Sequence, residues 1–183
     1  MPGSHLERPV IAFGDSLVEG LGASKNRDWV SLLSARFHLP ILNKGQRHDT
    51  TRSALLRLEK DVICHNPCLT ILLLGGNDIL LRIPKKETFR NLSAMVDRIQ
   101  NKEIDVLLVG VRGGLLVDAF EGKFQTLAQE KGIPFIPNIL ENILDVPSLM
   151  TDPLHPNDEG HRIMAERIET MLLQVFNSHP PTN

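Results

Sequence analysis

Ser16 ends the run Val10-Ile11-Ala12-Phe13-Gly14-Asp15-Ser16, in which four apolar residues lead to a glycine, an acid and a hydroxyl. A continuous apolar run that stops at glycine reads as a buried strand, and ligand crevices of open parallel sheets lie beyond the carboxyl ends of the strands. A serine delivered there can act as a nucleophile once a base takes its proton. Asp152-Pro153-Leu154-His155 supplies that base: a carboxylate stands three residues before an imidazole in a proline-stiffened loop, so Asp152 can fix the tautomer of His155. Acyl transfer also needs donors for the oxyanion. Gly45, after Asn43-Lys44, offers a backbone N–H approachable without a Cβ, and Asn77, in Gly75-Gly76-Asn77-Asp78, offers a side-chain amide. Taken singly, each stretch reads as an ordinary turn. Together they supply a nucleophile, a base, an orienting carboxylate and oxyanion donors.

The surrounding pattern must bring these stretches to one place. Apolar runs at 10–13, 41–42, 69–74, 106–111 and 134–136 read as five strands, and the third, Leu69-Thr70-Ile71-Leu72-Leu73-Leu74, lacks any polar alternation, as a central strand covered on both faces would. Helical patterns separate them. Asp28 caps a helix carrying Trp29, Val30, Leu32, Leu33 and Phe37. Asp49-Thr50-Thr51 opens another, with Ala54, Leu55, Leu58 and Val62 on its apolar stripe. Further helices are expected over 85–101, over 117–131 up to Gly132, and from near Pro156 past Leu173, while 17–26 reads as a Gly-rich loop with a short turn. Strands alternating with helices predict a doubly wound α/β fold, and right-handed crossovers then set the ends of the first three strands and the loop before the last helix along one edge.

A chain of 183 residues suits one domain with a substantial core. Hydrophobic residues at 42% and charged residues at 23% are ordinary for a globular protein, and no apolar run reaches the roughly 18 residues of a membrane span. The net charge is −2, basic residues are dispersed, and Tyr is absent beside a single Trp, which argues against a nucleic-acid partner. Cys64 and Cys68 are too few for a disulfide framework or a zinc site and read as core or helix-end thiols; no metal is expected. His38, His65, His161 and His179 read as surface or capping residues, and Asp15 and Asp78 as acceptors for nearby backbone donors. The sequence carries no signal for oligomeric state.

In order and rough spacing, Gly14-Asp15-Ser16-Leu17, Asn43-Lys44-Gly45, Gly75-Gly76-Asn77-Asp78 and Asp152-Pro153-Leu154-His155 resemble the four blocks of the SGNH, or GDSL, hydrolase family. The resemblance spans about residues 10–175 and is closest to the small bacterial branch of arylesterases, acyl-CoA thioesterases and lysophospholipases. It implies Ser16 as nucleophile, His155 as general base and then acid, Asp152 as its orienter, and an oxyanion hole of the Ser16 N–H, the Gly45 N–H and the Asn77 side chain. It also implies a flavodoxin-like three-layer α/β/α sandwich with a five-stranded parallel sheet, and a serine hydrolase without cofactor. Gln46-Arg47-His48 is bulkier and more basic than the small residues usual in that block. Asp152 stands ready to orient His155, which favours it over His48 as the base.

The substrate expected is a small-molecule ester or thioester with a small to medium acyl group. Ile79, Leu80, Leu115 and Leu116 follow the third and fourth strands at the reactive edge and are candidate acyl contacts. A carbohydrate O-deacetylase of the same family would want a more polar cleft. A flavodoxin-like FMN or phospho-receiver module is the alternative outside enzymes, but Gly14-Asp15-Ser16-Leu17-Val18-Glu19 would present two acids to a phosphate. Met1 to Glu7 lacks the apolar core of a signal peptide, and Gly3-Ser4-His5 resembles a vector-derived leader. Residues 1–9 are thus expected to be a tag remnant or disordered, 10–177 one hydrolase domain and 178–183 a flexible tail. Localisation reads as cytoplasmic, or periplasmic or secreted if a native signal was replaced.

Overall fold

The computed structural model describes residues 8–112 and 118–178. Five parallel strands form its sheet: β1 (Val10–Gly14), β2 (Ile41–Gly45), β3 (Leu69–Leu73), β4 (Asp105–Val109) and β5 (Phe135–Ile136), in the spatial order β2-β1-β3-β4-β5. Every residue of β1 and β3 is buried, as the unbroken apolar runs require of central strands. Seven α-helices are present among the described residues: α1 (Ser16–Glu19), α2 (Trp29–Phe37), α3 (Thr51–Asp61), α4 (Gly76–Leu80), α5 (Lys85–Gln100), α6 (Asp118–Lys131) and α7 (Asp158–Ser178). They pack in two groups, α2 with α7 and α3 with α5 with α6, which cover the two faces of the sheet.

Register decides where chemistry can occur. Gly14 of β1 lies level with Gly45 of β2 and Leu73 of β3, so the segments that follow these three strands leave the sheet at one height. Gly14 has no alternative residue: a Cβ there would fall 2.1 Å from the Leu73 carbonyl oxygen and 2.5 Å from a Val18 methyl. The chain thus turns directly from β1 into α1, and what reads in sequence as a loop after Ser16 begins with a helical turn.

Local capping agrees with the sequence at two helices. Asp28 accepts the Ser31 N–H at the start of α2, and Thr50 with Ser53 forms a reciprocal capping box on α3. The final helix starts later than Pro156. Pro156 pairs with Met150 in an antiparallel bridge, and Asn157 instead accepts the Glu159 and Gly160 N–H groups at the head of α7. Cys64, exposed within the 3-10 turn Ile63–His65, and Cys68 just after it are free thiols. No described helix is long and apolar enough to cross a membrane.

Candidate active site

Ser16 is the first residue of α1, so its N–H is one of the first-turn donors that a helix leaves without an internal acceptor. Asp15 caps the turn by accepting the Leu17 N–H at 3.0 Å. Across the sheet edge, Ser16 Oγ lies 3.1 Å from His155 Nε2, and His155 Nδ1 lies 2.8 and 2.9 Å from the two oxygens of Asp152. The Asp152 carboxyl also accepts the Leu154 and His155 N–H groups, and these bonds with the imidazole hold it below the usual carboxylate range. An ionised Asp152 accepts a hydrogen bond from Nδ1–H, which holds the proton on Nδ1 and leaves a lone pair on Nε2 facing the serine hydroxyl.

The loop bearing the imidazole is closed on itself and tied to the loop that follows α1. The Thr151 N–H donates to the His155 carbonyl at 2.9 Å, and the Thr151 hydroxyl donates to the Gly22 carbonyl at 2.8 Å. Gly22, at φ 97°, packs so closely against the same loop that a Cβ would fall 2.2 Å from the Pro156 oxygen. His161 is a correction to the sequence reading of a surface or capping residue. It is completely buried, where its Nδ1 accepts the Trp29 N–H and its Nε2 donates to the Leu21 carbonyl, and burial lowers its pKa. It joins α7, α2 and the loop that meets Thr151. Helical position alone could have suggested this, since His161 falls three residues before the buried Met164.

On the opposite side of Ser16, one Asn77 N–H is held by the Asp49 carbonyl at 2.8 Å, which fixes the plane of the amide. Asp78 is fully buried and accepts from the Thr51 N–H and from the hydroxyls of Thr51 and Thr88, in keeping with a structural acceptor. Gly45 stands at the end of β2 as expected, but its N–H is not free for the oxyanion role that the sequence reading gives it. Its N–H donates to Asn43 Oδ1 at 2.9 Å, and a Cβ would sit 2.0 Å from the Glu19 nitrogen, so this glycine serves close packing of β2 against α1. His48 occupies the site wall instead. It adopts φ 67°, and its N–H has no acceptor among the described residues. Its signal in sequence is its place directly before the Asp49-Thr50 helix start; backbone in this region is uncommon outside glycine, though His is among the residues enriched there.

Ser16, His48, Asn77 and His155 all line a cleft of about 410 Å³. Ile79 and Leu80 line it as expected, whereas Leu115 and Leu116 lie outside the described residues. Leu140, Leu144 and Leu154 supply apolar wall that sequence reasoning missed, although the four-residue spacing of the first two and the place of Leu154 beside His155 were available signals. Arg47 also lines the cleft. Its N–H and guanidinium bind Glu19, whose carboxyl is held below its usual range chiefly by that bond.

Residues 12–163 match the family described as GDSL-like lipase/acylhydrolase. The chain belongs to that family. It is 29% identical over 182 residues to an arylesterase of Vibrio mimicus, covering 93% of this chain and 91% of that one. It is 26% identical over 176 residues to thioesterase 1/protease 1/lysophospholipase L1 of Escherichia coli, covering 92% and 85%. The crystal structure of TesA superposes with a TM-score of 0.87 at 25% identity, covering 92% of this chain and all of that one.

In this GDSL-type hydrolase Asp15 is buried, and its pKa is raised to about 7, first by that burial and then by the nearby Asp49 and Asp78, against the pull of the Leu17 N–H. An acid whose folded pKa exceeds its ordinary value of 3.8 keeps its proton in the folded state while the unfolded chain has lost it. The folded state thus binds the extra proton between about pH 4 and 7, and stability falls as pH rises through that window, by up to about 4 kcal/mol. Asp15→Asn keeps an acceptor for Leu17 but cannot ionise. The melting temperature of the wild type is expected to fall relative to Asp15→Asn between pH 4.5 and 8. A difference independent of pH would show that Asp15 does not titrate there.

Proposed function

We propose that the protein is a serine esterase that hydrolyses carboxylic esters or thioesters of medium acyl chains through an acyl-enzyme. The observation that carries this reading is the hydrogen-bonded chain Asp152–His155–Ser16, whose Ser16 and His155 line a cleft together with several leucines. In the first half-reaction Ser16 Oγ attacks the acyl carbon as its proton moves to His155 Nε2. The tetrahedral oxyanion then expels the alcohol or thiol, which takes that proton. Water attacks the acyl-enzyme with His155 again receiving a proton, and collapse returns it to Ser16 Oγ and releases the carboxylic acid. The oxyanion donors proposed are the Ser16 N–H, the free Asn77 N–H and the His48 N–H, the last in place of Gly45. The activities named for the Vibrio and Escherichia relatives support the reaction class.

Asn77→Ala is expected to lower kcat by about 10²–10³-fold with little change in KM, because the amide is needed most when charge develops on the oxygen. An effect confined to KM would make Asn77 a ground-state binding group.

The test of the substrate class is a panel of p-nitrophenyl esters and acyl-CoAs from acetyl to decanoyl, with Ser16→Ala as control. Each buried methylene contributes up to about 0.8 kcal/mol, so butyrate to octanoate could gain about 200-fold in kcat/KM, and less here because Leu80 and Leu154 are 54% and 45% exposed. Medium chains are expected to be preferred over acetyl, and Leu144→Ser to flatten that preference. An optimum at acetate, untouched by Leu144→Ser, would favour a deacetylase.

A further inference from the structure

Arg57, on α3, plays no part in the reaction as written, yet it is the most heavily engaged cation of the described interior. Its side chain is 14% exposed. Nε donates to Asp49 Oδ2 at 2.6 Å, Nη1 to Asp61 Oδ2 at 3.0 Å, and Nη2 to the carbonyls of Gly14 at 2.9 Å and Lys44 at 3.0 Å. The guanidinium also lies over the Phe13 ring, 4.2 Å from its centre. A buried guanidinium is costly unless its donors are matched, and here the planar fork meets four oxygens on four different segments.

Three of those four oxygens belong to segments that carry the groups proposed to hold the oxyanion. Gly14 is two residues before Ser16. Lys44 precedes the turn that carries His48. Asp49 follows His48 directly, and its backbone carbonyl holds the Asn77 amide. The Gln46 N–H reinforces the same junction by donating to the Gly14 carbonyl. We propose that Arg57 is a positioning residue that sets the mutual spacing of the Ser16, His48 and Asn77 donors. This rests on the reading that those three donors form the oxyanion site. Lysine replaces it only in part, because an ammonium on a flexible stem cannot reach carbonyls on β1 and β2 and a carboxylate on α3 at once in fixed directions.

The experiment compares Arg57→Met, Arg57→Lys and Asn77→Ala with the wild type, on one medium-chain p-nitrophenyl ester. It also measures inhibition constants for an alkylboronic acid, which mimics the tetrahedral oxyanion, and for the carboxylic acid product. A donor displaced by a fraction of an ångström weakens charge stabilisation before it weakens ground-state binding. Arg57→Met is expected to lower kcat by about 10–100-fold with KM within about two-fold. Boronate affinity should fall in step with kcat while product affinity stays, and Arg57→Lys should fall between. Melting curves identify folded variants, and if Arg57→Met does not fold, Arg57→Lys carries the test. Wild-type kcat in a folded Arg57 variant, with Asn77→Ala impaired, overturns the proposal. So does a fall in kcat matched by equal loss of product affinity. Wild-type kcat in Asn77→Ala overturns the oxyanion reading itself, and Arg57's role with it.

Discussion

Ser16→Ala and His155→Ala will each lower kcat/KM by about 10⁶-fold, the loss expected when one member of a nucleophile–base pair is removed and the remainder can no longer act as a unit. The basis is the 3.1 Å contact between Ser16 Oγ and His155 Nε2. A fluorophosphonate will label Ser16 in the wild type and will label nothing at that peptide in His155→Ala within the same time. His48→Ala is the informative companion, because alanine keeps the backbone N–H and loses only the imidazole; it is expected to retain most activity. Label on a different serine would remove Ser16 as nucleophile. Activity surviving in His155→Ala but lost in His48→Ala would move the base to His48.

Asp152→Asn will keep the fold and lower kcat by about 10³–10⁴-fold. An amide oxygen still accepts the Leu154 and His155 N–H groups, so the loop persists. The amide nitrogen, however, offers Nδ1 a donor where it needs an acceptor, which favours the tautomer with its proton on Nε2, aimed at Ser16. About 10⁴ is the loss when the orienting carboxylate is enclosed, and the Asp152 side chain is 47% exposed, so water can replace part of its role. The lower half of the range is the expected outcome. A loss under ten-fold by steady-state assay would mean that His155 is oriented by its loop alone.

What could be read from the sequence was whatever depends on local pattern. Unbroken apolar runs gave β1 and β3, glycine at their ends marked the exits, and the Asp152-to-His155 spacing forecast a contact that one loop closes. What could not be read depends on backbone angles or on partners far away in the chain. Gly45 attracts attention as a glycine, but its reason is the backbone of α1 pressed against it, a contact between residues 26 apart that no local pattern encodes. The position that lines the cleft is His48, whose left-handed backbone a side chain conceals. Arg57 reads as one charge on a helix until the ends of β1 and β2 are seen beside it. His161 likewise reads as polar surface until α2 is packed on α7.

The nucleophile and its base stand 139 residues apart, and the base lies in the loop that leads into the last helix. A nascent chain leaving the ribosome therefore presents Ser16, His48 and Asn77 long before Asp152 and His155 have been made. On the proposed assignment, the emerging polypeptide carries a serine with no means of deprotonating it, and it cannot cleave the esters around it. In the folded protein α7 packs against α2, and the Thr151 hydroxyl bonds the Gly22 carbonyl, beside the loop that bears His155. On that assignment, a chain cut short before residue 155 lacks the base, however completely the sheet that carries Ser16 has formed.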